Sequence, residues 1–475
     1  MRITMDATRT LLIAGGHVAT MDADDTIHAG GYVLIRGGLV ESIGPAQDTP
    51  QHADERIDAT GCLVIPGLIN THQHLWYNLM KCISDGMLLE PRGRMLKLPA
   101  TAALQLGDLE CSAYLSGLEM LSSGTTTFLN HSVTTTGEAE VEAQIRPTAE
   151  LGLRQVFAKE LRPYPSVADS VALAEQTHRT WEGAYGGRVN VGLVVESTAH
   201  WIANGSSSEE MILAGKDLAD RLDLRISAHL AGGTMSREQG YLKYVIETGR
   251  TEVEYLQRIG VLDERWVLAH VINATPRDIE LLAKSGATVS HTPTAEASRG
   301  GGITPVRQML AAGVNVHLGT DGPNVDTTVD MVEQMKITIL LQNQLASARA
   351  VDAIRTLRMS TIDAARALGI ADRVGSLEPG KVADVAIFDM SEPHTAVSHE
   401  PLSVFVHAMR GRDVRDLIID GQIVIRDRGF VKIGDDAVAS ILDEATGRAQ
   451  ALLERAHLSN PRWNPSASEG ALVDA

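Results

Sequence analysis

Short apolar segments alternate with helical segments along the middle of this 475-residue chain. The apolar segments have the length of buried strands, and the stretches between them, such as 107–123 and 276–285, carry apolar residues at helical spacing. A further helix is predicted over 352–368, near the end of this region. This alternation is typical of parallel strands joined by crossover helices. It predicts an α/β fold, a (β/α)8 TIM-like barrel, over residues 68–370. The eight predicted strands are 68–72, 125–131, 154–160, 189–197, 224–230, 266–272, 287–292 and 314–320.

Both flanks of the central region are rich in short strands. Residues 1–67 and 371–435 contain alternating apolar segments separated by glycine turns. The predicted strands are 10–13, 32–35, 39–43 and 63–65 in the first flank and 382–388, 414–419 and 422–425 in the second. Residues 436–475 contain a helical segment at 440–456 and then a tail rich in proline, serine and glycine, which is either an arm that reaches a neighbouring subunit or a loose end.

Histidines and one aspartate close several of the predicted strands. His72 and His74 end the first strand, and because alternate side chains of a strand share a face, two imidazoles at this spacing can bind one metal ion or play a structural role. Asp321 follows the last strand, where a buried carboxylate is costly unless it is paired or coordinated. Further strands end at His131, His229, His270 and His291. Because active sites of such barrels lie at the C-terminal ends of the strands, these residues predict one site at the barrel rim.

Charge and composition limit the partners. A net charge of −18 argues against nucleic acid and anionic membrane surfaces, which bind basic patches, and it mildly disfavours an anionic substrate. No apolar run reaches the roughly 18 residues that a membrane helix needs. The three cysteines lack metal-ligand spacing and the N-terminus lacks a signal-peptide pattern, so we expect a cytoplasmic protein that acts on a small molecule.

The chain resembles members of the amidohydrolase superfamily, on the branch of cytosine and guanine deaminases and triazine chlorohydrolases. The segments that carry the resemblance are Pro66-Gly67-Leu68-Ile69-Asn70-Thr71-His72-Gln73-His74, Gly124-Thr125-Thr126-Thr127, Gly319-Thr320-Asp321-Gly322 and Gly375-Ser376-Leu377-Glu378-Pro379-Gly380-Lys381-Val382-Ala383-Asp384. The resemblance covers 37–421 and implies that the two flanks form one small β-sandwich from both chain ends. It also implies a homo-oligomer.

The resemblance further implies that His72, His74, His229 and Asp321 bind one divalent metal ion. Three nitrogens and a carboxylate suit Zn²⁺, with Co²⁺, Fe²⁺ or Mn²⁺ as alternatives, and a second ion is not expected. Such an ion lowers the pKa of a bound water from about 15.7 toward 7. In the family pattern Asp321 accepts the proton of that water and His270 holds the water by a hydrogen bond, although a purely structural His270 stays an alternative.

The chain departs from the family at the end of the fifth strand. Many relatives on this branch have His-x-x-Glu there, and the glutamate passes a proton to a ring nitrogen of the substrate. Here His229 is followed by Gly232 at that position, and loss of a general acid costs about 10²- to 10⁴-fold in rate. Glu196 and Lys159 are therefore candidate catalytic residues, and Glu160 is a candidate for substrate binding. Alternatively, Glu160 pairs with Lys159 at the surface, or a carbamylated Lys159 bridges two metal ions.

The glycine also influences the expected substrate. Attack on an acyclic carbonyl places negative charge on oxygen, which a metal ion can stabilise without a proton donor. We therefore expect cleavage of a C–N or C–S bond in a small neutral amide, urea, carbamate or thiocarbamate. At Gly232 the chain also resembles bacterial phenylurea and thiocarbamate hydrolases, which degrade xenobiotics. A heteroaromatic aminohydrolase or chlorohydrolase and an inactive scaffold stay alternatives. Trp76 is expected either to form an apolar wall of the substrate pocket or to pack the barrel rim, and His291 either to contact the substrate or to hold a loop.

Overall fold

The computed structural model describes residues 8–133, 137–162, 166–196, 208–238, 240–325 and 328–458. The strands in these ranges are β1 (Thr10–Ala19), β2 (Ile27–Arg36), β3 (Leu39–Gly44), β4 (Glu55–Asp58), β5 (Cys62–Pro66), β6 (Leu68–Gln73), β7 (Thr125–Ser132), β8 (Arg154–Glu160), β9 (Val189–Val194), β10 (Ile226–Leu230), β11 (Trp266–His270), β12 (Thr288–His291), β13 (Val316–Leu318), β14 (Val385–Asp389), β15 (Val414–Ile419), β16 (Gln422–Arg426) and β17 (Gly429–Phe430).

The helices of the described ranges are mostly short. They are α1 (Leu89–Arg92), α2 (Leu98–Ala103), α3 (Leu106–Leu121), α4 (Glu138–Leu151), α5 (Val167–Trp181), α6 (Ala184–Gly187, an irregular turn), α7 (Glu209–Leu222), α8 (Tyr241–Thr248), α9 (Glu252–Arg258), α10 (Pro276–Ser285), α11 (Pro293–Ser298), α12 (Val306–Ala311), α13 (Met331–Leu345), α14 (Ala353–Met359), α15 (Ile362–Ala367), α16 (Pro401–Ala408) and α17 (Asp435–Arg455). Single turns of 3₁₀ helix lie at Ala46–Asp48, Leu75–Met80 and Gly411–Asp413, and a π-helical turn lies at Gly93–Lys97. Within the described residues, none of these helices combines the length and apolar character needed to cross a bilayer.

Strands β6 to β13 form a parallel eight-stranded barrel, as the sequence predicts. The strands pair in chain order, and a bridge between Gln73 and Asp321 joins the last segment to the first. The backbone N–H groups of Thr320 and Asp321 both donate to the carbonyl of His72, at 3.1 and 2.9 Å. The C-terminal ends of the strands therefore meet at one rim, where the metal-ligand candidates lie.

The two flanks of the chain form one mixed sheet of nine strands. Its centre is β5, which pairs in parallel with β1 and antiparallel with β14 from the other end of the chain. The sheet curls over its own apolar core, because Val40 of β3 exchanges backbone hydrogen bonds of 2.8 Å with Gly380 and Lys381. The predicted union of both chain ends is thus confirmed, with β4 and β17 as strands that the sequence did not predict.

Two predicted helices differ in detail from the structure. The segment predicted as one helix over 352–368 contains α14 and α15, because Thr361 between them has a non-helical backbone at φ −137° and ψ −102°. The helix predicted at 440–456 begins earlier, at Asp435, and α17 packs on α3 through Arg448 and Arg455, which both contact the buried carboxylate of Asp108. The predicted arm after this helix lies outside the described residues from position 459 onward.

A buried arginine joins the barrel to the curled sheet. Arg154, the first residue of β8, is 1% exposed and donates to Asp420 Oδ1 at 2.6 Å and to Asp384 Oδ2 at 3.3 Å. Burial by itself lowers the pKa of Arg154, but the two carboxylates outweigh this effect and raise it. Asp384 and Asp420 belong to the C-terminal flank, so this ion cluster ties that flank to the end of the barrel opposite the rim with the histidines.

Candidate metal centre

Five side chains at the ends of four barrel strands converge at the rim. His72 and His74 come from the end of β6, His229 from β10, His270 from β11, and Asp321 follows β13; all are at least nine-tenths buried. His74 Nε2 lies 3.2 Å from His229 Nε2 and 3.3 Å from Asp321 Oδ1, and His72 Nε2 lies 3.8 Å from Asp321 Oδ1. The structure therefore brings the four ligand candidates and His270 together.

The donor set fits a divalent metal ion. Neither ring nitrogen of the fully buried His72 has a hydrogen-bond partner among the described residues, which is rare for buried polar atoms without an unseen ligand. Ligand atoms of His72, His74 and Asp321 lie within 4.8 Å of one another, as do those of His72, His229 and His270. Burial lowers the pKa of His72, His74 and His229, to about 4 for His74, so these imidazoles are neutral, the form that binds metals.

The ligating nitrogens are fixed by hydrogen bonds at the opposite side of each ring. His74 Nδ1 donates to the backbone carbonyl of His131 at 2.8 Å, and His229 Nδ1 donates to Glu196 Oε1 at 2.6 Å. Both arrangements leave Nε2 as the free lone pair, and such outer hydrogen bonds orient metal-binding histidines. His131 Nε2 also lies 3.2 Å from Glu196 Oε1, so this carboxylate bridges two imidazoles.

Small residues around Asp321 explain the Gly-Thr-Asp-Gly segment. A Cβ on Gly319 would lie 2.8 Å from the Cβ and backbone nitrogen of His72, and one on Gly322 would lie 2.3 Å from the ring of Tyr77. Asp321 has a left-handed backbone, at φ 64°, and its Oδ1 accepts the N–H of Gly322 at 2.7 Å. His270 has φ 76°. A left-handed backbone at residues other than glycine is strained and is often found at functional sites.

Glu196 contacts the His229 ring at Nδ1, the nitrogen that faces away from the candidate metal centre, and so orients this ring. Burial raises the pKa of Glu196, but the hydrogen bond and charge of His131, with Lys97 and the N–H of His229, outweigh burial and lower it. The carboxylate also accepts the backbone N–H of His229 at 3.1 Å. All of these contacts use Glu196 as a hydrogen-bond acceptor, so we assign it a positioning role.

We expect Glu196→Gln to weaken metal binding about 10- to 100-fold, because the His229 ring loses its charged acceptor. Competition with a chromogenic chelator measures this affinity. A variant that recovers its kcat at saturating metal is folded, so its lower metal affinity is then not a result of unfolding. Glu210→Gln is the matched control, since Glu210 is exposed in the first turn of α7. Equal metal affinity in Glu196→Gln and the control would rule out the positioning role.

His270 has its own carboxylate partner, which sequence reasoning missed. Its Nδ1 lies 2.7 Å from Glu296 Oε1. Glu296 lies in α11 and forms a buried ion pair with Arg299, the residue that directly follows this helix. Arg299 Nη1 in turn lies 3.5 Å from Asp321 Oδ2. Burial raises the pKa of Glu296, but Arg299 and His270 outweigh it and lower that pKa to about 2. The sequence signal was the glutamate after the seventh strand, three residues before an arginine.

The remaining sequence candidates lie around this centre rather than within it. Lys159 is buried and donates from Nζ to the backbone carbonyl of Glu160 at 3.0 Å, and burial lowers its pKa to about 8. Glu160 pairs with Arg162. Trp76 stacks on Tyr77 with ring centroids 3.9 Å apart inside an apolar cluster. His291 is fully buried, and neither of its ring nitrogens has a partner among the described residues.

A cavity opens next to the metal-ligand candidates. Its lining residues are His74, Tyr77, Leu89, Arg92, Gly93, Lys97, His229, His270, Arg299 and Asp321. Four of them lie at positions 89, 92, 93 and 97, on one face of the segment that runs from α1 through the π-helical turn. π-helical turns are frequent at functional sites. This segment was not predicted, because the five-residue spacing of Arg92 and Lys97 does not match the period of an α-helix.

Comparison with known proteins agrees with this geometry. The sequence profile of the Amidohydrolase family matches residues 63–424. The chain is 32% identical to a 5-methylthioadenosine/S-adenosylhomocysteine deaminase of Desulforudis audaxviator, over 94% of this chain and 99% of that protein. It is 33% identical to a 5'-deoxyadenosine deaminase of Methanothermobacter thermautotrophicus, over 90% of this chain and 98% of that protein.

Solved structures show the same fold at lower identity. An adenosine deaminase of Xanthomonas campestris with bound zinc superimposes with a TM-score of 0.84 at 23% identity, over 95% of this chain and 99% of that one. An atrazine chlorohydrolase mutant of Arthrobacter aurescens, complexed with zinc and atraton, gives 0.81 at 21% identity, over 93% of this chain and 100% of that one. The chain therefore belongs to the amidohydrolase family and is a metal-dependent hydrolase of carbon–nitrogen bonds.

Proposed function

We propose that this protein is an aminohydrolase that removes an amino group from a nitrogen heterocycle as ammonia. The observation that carries the proposal is the buried cluster of His72, His74, His229 and Asp321, which opens onto one small-molecule cavity. The chain-length relatives that share about a third of their sequence with it are named as deaminases of adenine-containing compounds. A scaffold without activity would have no use for a buried imidazole such as His72, whose ring nitrogens have no hydrogen-bond partner among the described residues.

The relatives favour a different substrate class from the one that Gly232 suggested. The expected amide, urea, carbamate or thiocarbamate was based on the absence of a ring-protonating glutamate. The deaminase relatives support the heteroaromatic alternative instead. The charge that develops on a ring nitrogen can be stabilised without protonation by positive side chains, and Arg92 and Lys97 line the same cavity.

The roles of the residues follow from their positions. His72, His74, His229 and Asp321 would hold the metal ion, which when bound supplies a water activated for attack at neutral pH. Asp321 accepts the proton of the attacking water through the carboxylate that also faces His74. His270, held through Nδ1 by Glu296, would accept a hydrogen bond from the water at Nε2 and so keep the water at the rim. Burial of all these groups excludes bulk water from the reacting atoms.

A substrate panel tests the proposed function. Metal-loaded protein is assayed for ammonia release from 5′-methylthioadenosine, 5′-deoxyadenosine, cytosine and guanine, and for amine or thiol release from phenylureas and thiocarbamates. We expect at least one heterocycle to give kcat/KM above about 10⁴ M⁻¹s⁻¹, with loss of activity on chelation and recovery with Zn²⁺. Amine or thiol release without ammonia from any heterocycle would overturn the assignment.

We further propose one zinc ion per chain and a homo-oligomer in the cytoplasm. Imidazole-rich sites with one carboxylate suit Zn²⁺. The neighbouring group of His131, Glu196 and His229 is connected by direct hydrogen bonds, so these nitrogens have partners without a second ion.

Exposed apolar side chains at Leu88, Met95, Leu98 and Leu106 offer a surface for subunit contact. Elemental analysis measures the number of zinc ions per chain, and analytical ultracentrifugation measures the number of chains per oligomer.

A further inference from the structure

We propose that Arg92 and Lys97 form a binding site for an anionic group of the substrate, a carboxylate or a phosphate, beside the candidate metal centre. The proposal refines the proposed function by naming a substrate class, and it rests on that function only for the identity of the reacting group. It also replaces the expectation, drawn from the net charge, that the substrate is neutral.

Both cations are buried at the cavity, and two nitrogens of Arg92 lack a hydrogen-bond partner. Arg92 is 7% and Lys97 is 8% exposed. Nε and Nη1 of Arg92 have no hydrogen-bond partner in the described part of the chain, and its guanidinium lies 5.8 Å from the centre of the Tyr77 ring. Of the arginines that line the cavity, Arg299 differs, because it is paired with Glu296 and Asp321. An unpaired buried cation is costly, so its retention at a cavity indicates a ligand of opposite charge.

The carboxylates around the two cations are held by other groups. Glu160 pairs with Arg162, Glu196 with His131 and His229, and Glu296 with Arg299 and His270. Glu90 accepts hydrogen bonds from Thr234 at Oε1, while its Oε2 has no hydrogen-bond partner among the described residues. Burial and the charge of Arg92 lower the pKa of Lys97, and Glu196 and Glu160 raise it without offsetting burial. The two cations therefore repel each other across the cavity, and an oxyanion between them would relieve both.

The backbone directs both side chains into the cavity. Arg92 ends α1 and Lys97 ends the π-helical turn, and the wider turn places them on the same face as Leu89 and Gly93. The neighbouring Arg94 is exposed on the opposite face. Because Arg92, Lys97 and the metal-ligand candidates His74, His229 and Asp321 line the same cavity, the anionic group and the reacting ring would share one site.

The experiment compares matched pairs of ligands on the metal-loaded protein. Orotate is compared with uracil for a carboxylate, and adenosine 5′-monophosphate with adenosine for a phosphate, by calorimetry and by the shift in Tm. We expect at least one anion to bind 10-fold or more tightly than its neutral partner. Because a hydrogen bond to a charged group is worth about a 10- to 100-fold difference in affinity, Arg92→Gln and Lys97→Gln should each remove most of that preference.

Arg94→Gln is the matched control and should keep the anion preference of the wild type. Arg92→Met gives a readout that needs no ligand, because removal of a buried guanidinium with two unpartnered nitrogens should raise the Tm of the unliganded protein by about 2 °C or more. The proposal is overturned if neither anion is preferred, if the preference survives both glutamine substitutions, or if Arg92→Met melts at lower temperature. Ammonia release without an anion preference would contradict the anion site and leave the proposed function unaffected. An anion preference without ammonia release would contradict the proposed function and leave the anion site unaffected.

Discussion

Replacing Asp321 by Asn will lower kcat/KM for ammonia release about 10³- to 10⁴-fold while the protein stays folded. The carboxylate takes part in two steps, since it lies among the metal-ligand candidates, 3.3 Å from His74 Nε2, and is the proposed acceptor of the proton from the attacking water. Loss of a general base alone costs about 10²- to 10⁴-fold. The amide keeps the size of the side chain and can still accept the N–H of Gly322, so the rim should retain its shape.

Steady-state kinetics at saturating Zn²⁺ measures the effect, and metal content and circular dichroism show whether site and fold persist. Asp217→Asn is the control, because the Asp217 side chain is 70% exposed and pairs only with Arg221 on its own helix. A variant at position 321 that keeps more than a tenth of the wild-type kcat/KM would exclude Asp321 as proton acceptor.

Arg154→Met is expected to lower the free energy of unfolding by about 3–5 kcal/mol, which is the largest stability effect that we predict. The substitution leaves Asp384, which is 4% exposed, without its main cation, and it removes a link between the barrel and the curled sheet. The midpoint of urea unfolding, followed by circular dichroism, measures the change. Adding Asp384→Asn to the variant should restore part of the loss, because it removes the stranded charge.

Arg179→Met is the control for this substitution. Arg179 has a side chain that is 68% exposed and a single ion pair of 3.9 Å with Glu175 one turn away. Exposed pairs of this kind contribute about 0–1 kcal/mol. Equal unfolding midpoints for the two methionine variants would show that the ion cluster around Arg154 does not hold the two units together.

The sequence predicted the barrel because its strands are continuous apolar runs, which is how strands covered on both faces appear. Each of the eight predicted ranges overlaps an observed strand, from β6 to β13. The curled sheet was harder to predict, because β4 has exposed charged residues at alternate positions and β17 has two residues, too few for a pattern. The break before α15 depends on the backbone of Thr361, which periodicity does not report.

The site was predictable where function and strand ends coincide. His72, His74, His229, His270 and Asp321 all lie at the end of an apolar run, so the fold rule alone places them on one rim. Arg92, Lys97, Glu296 and Arg299 come instead from helical segments that pack over the rim. Their approach to the cavity depends on tertiary packing and on a π-helical turn, neither of which leaves a distinct pattern in one sequence.

The strand that carries His72 and His74 continues directly from the centre of the curled sheet, since only Gly67 separates β5 from β6. A Cβ at Gly67 would lie 2.2 Å from Thr126 Oγ1, so this junction has no room for a longer or bulkier connection. The flanking sheet is therefore not an interchangeable module. A chimera that grafts the catalytic barrel onto a foreign domain must carry β5 with it, because a shift in the register of that strand would displace both imidazoles at once.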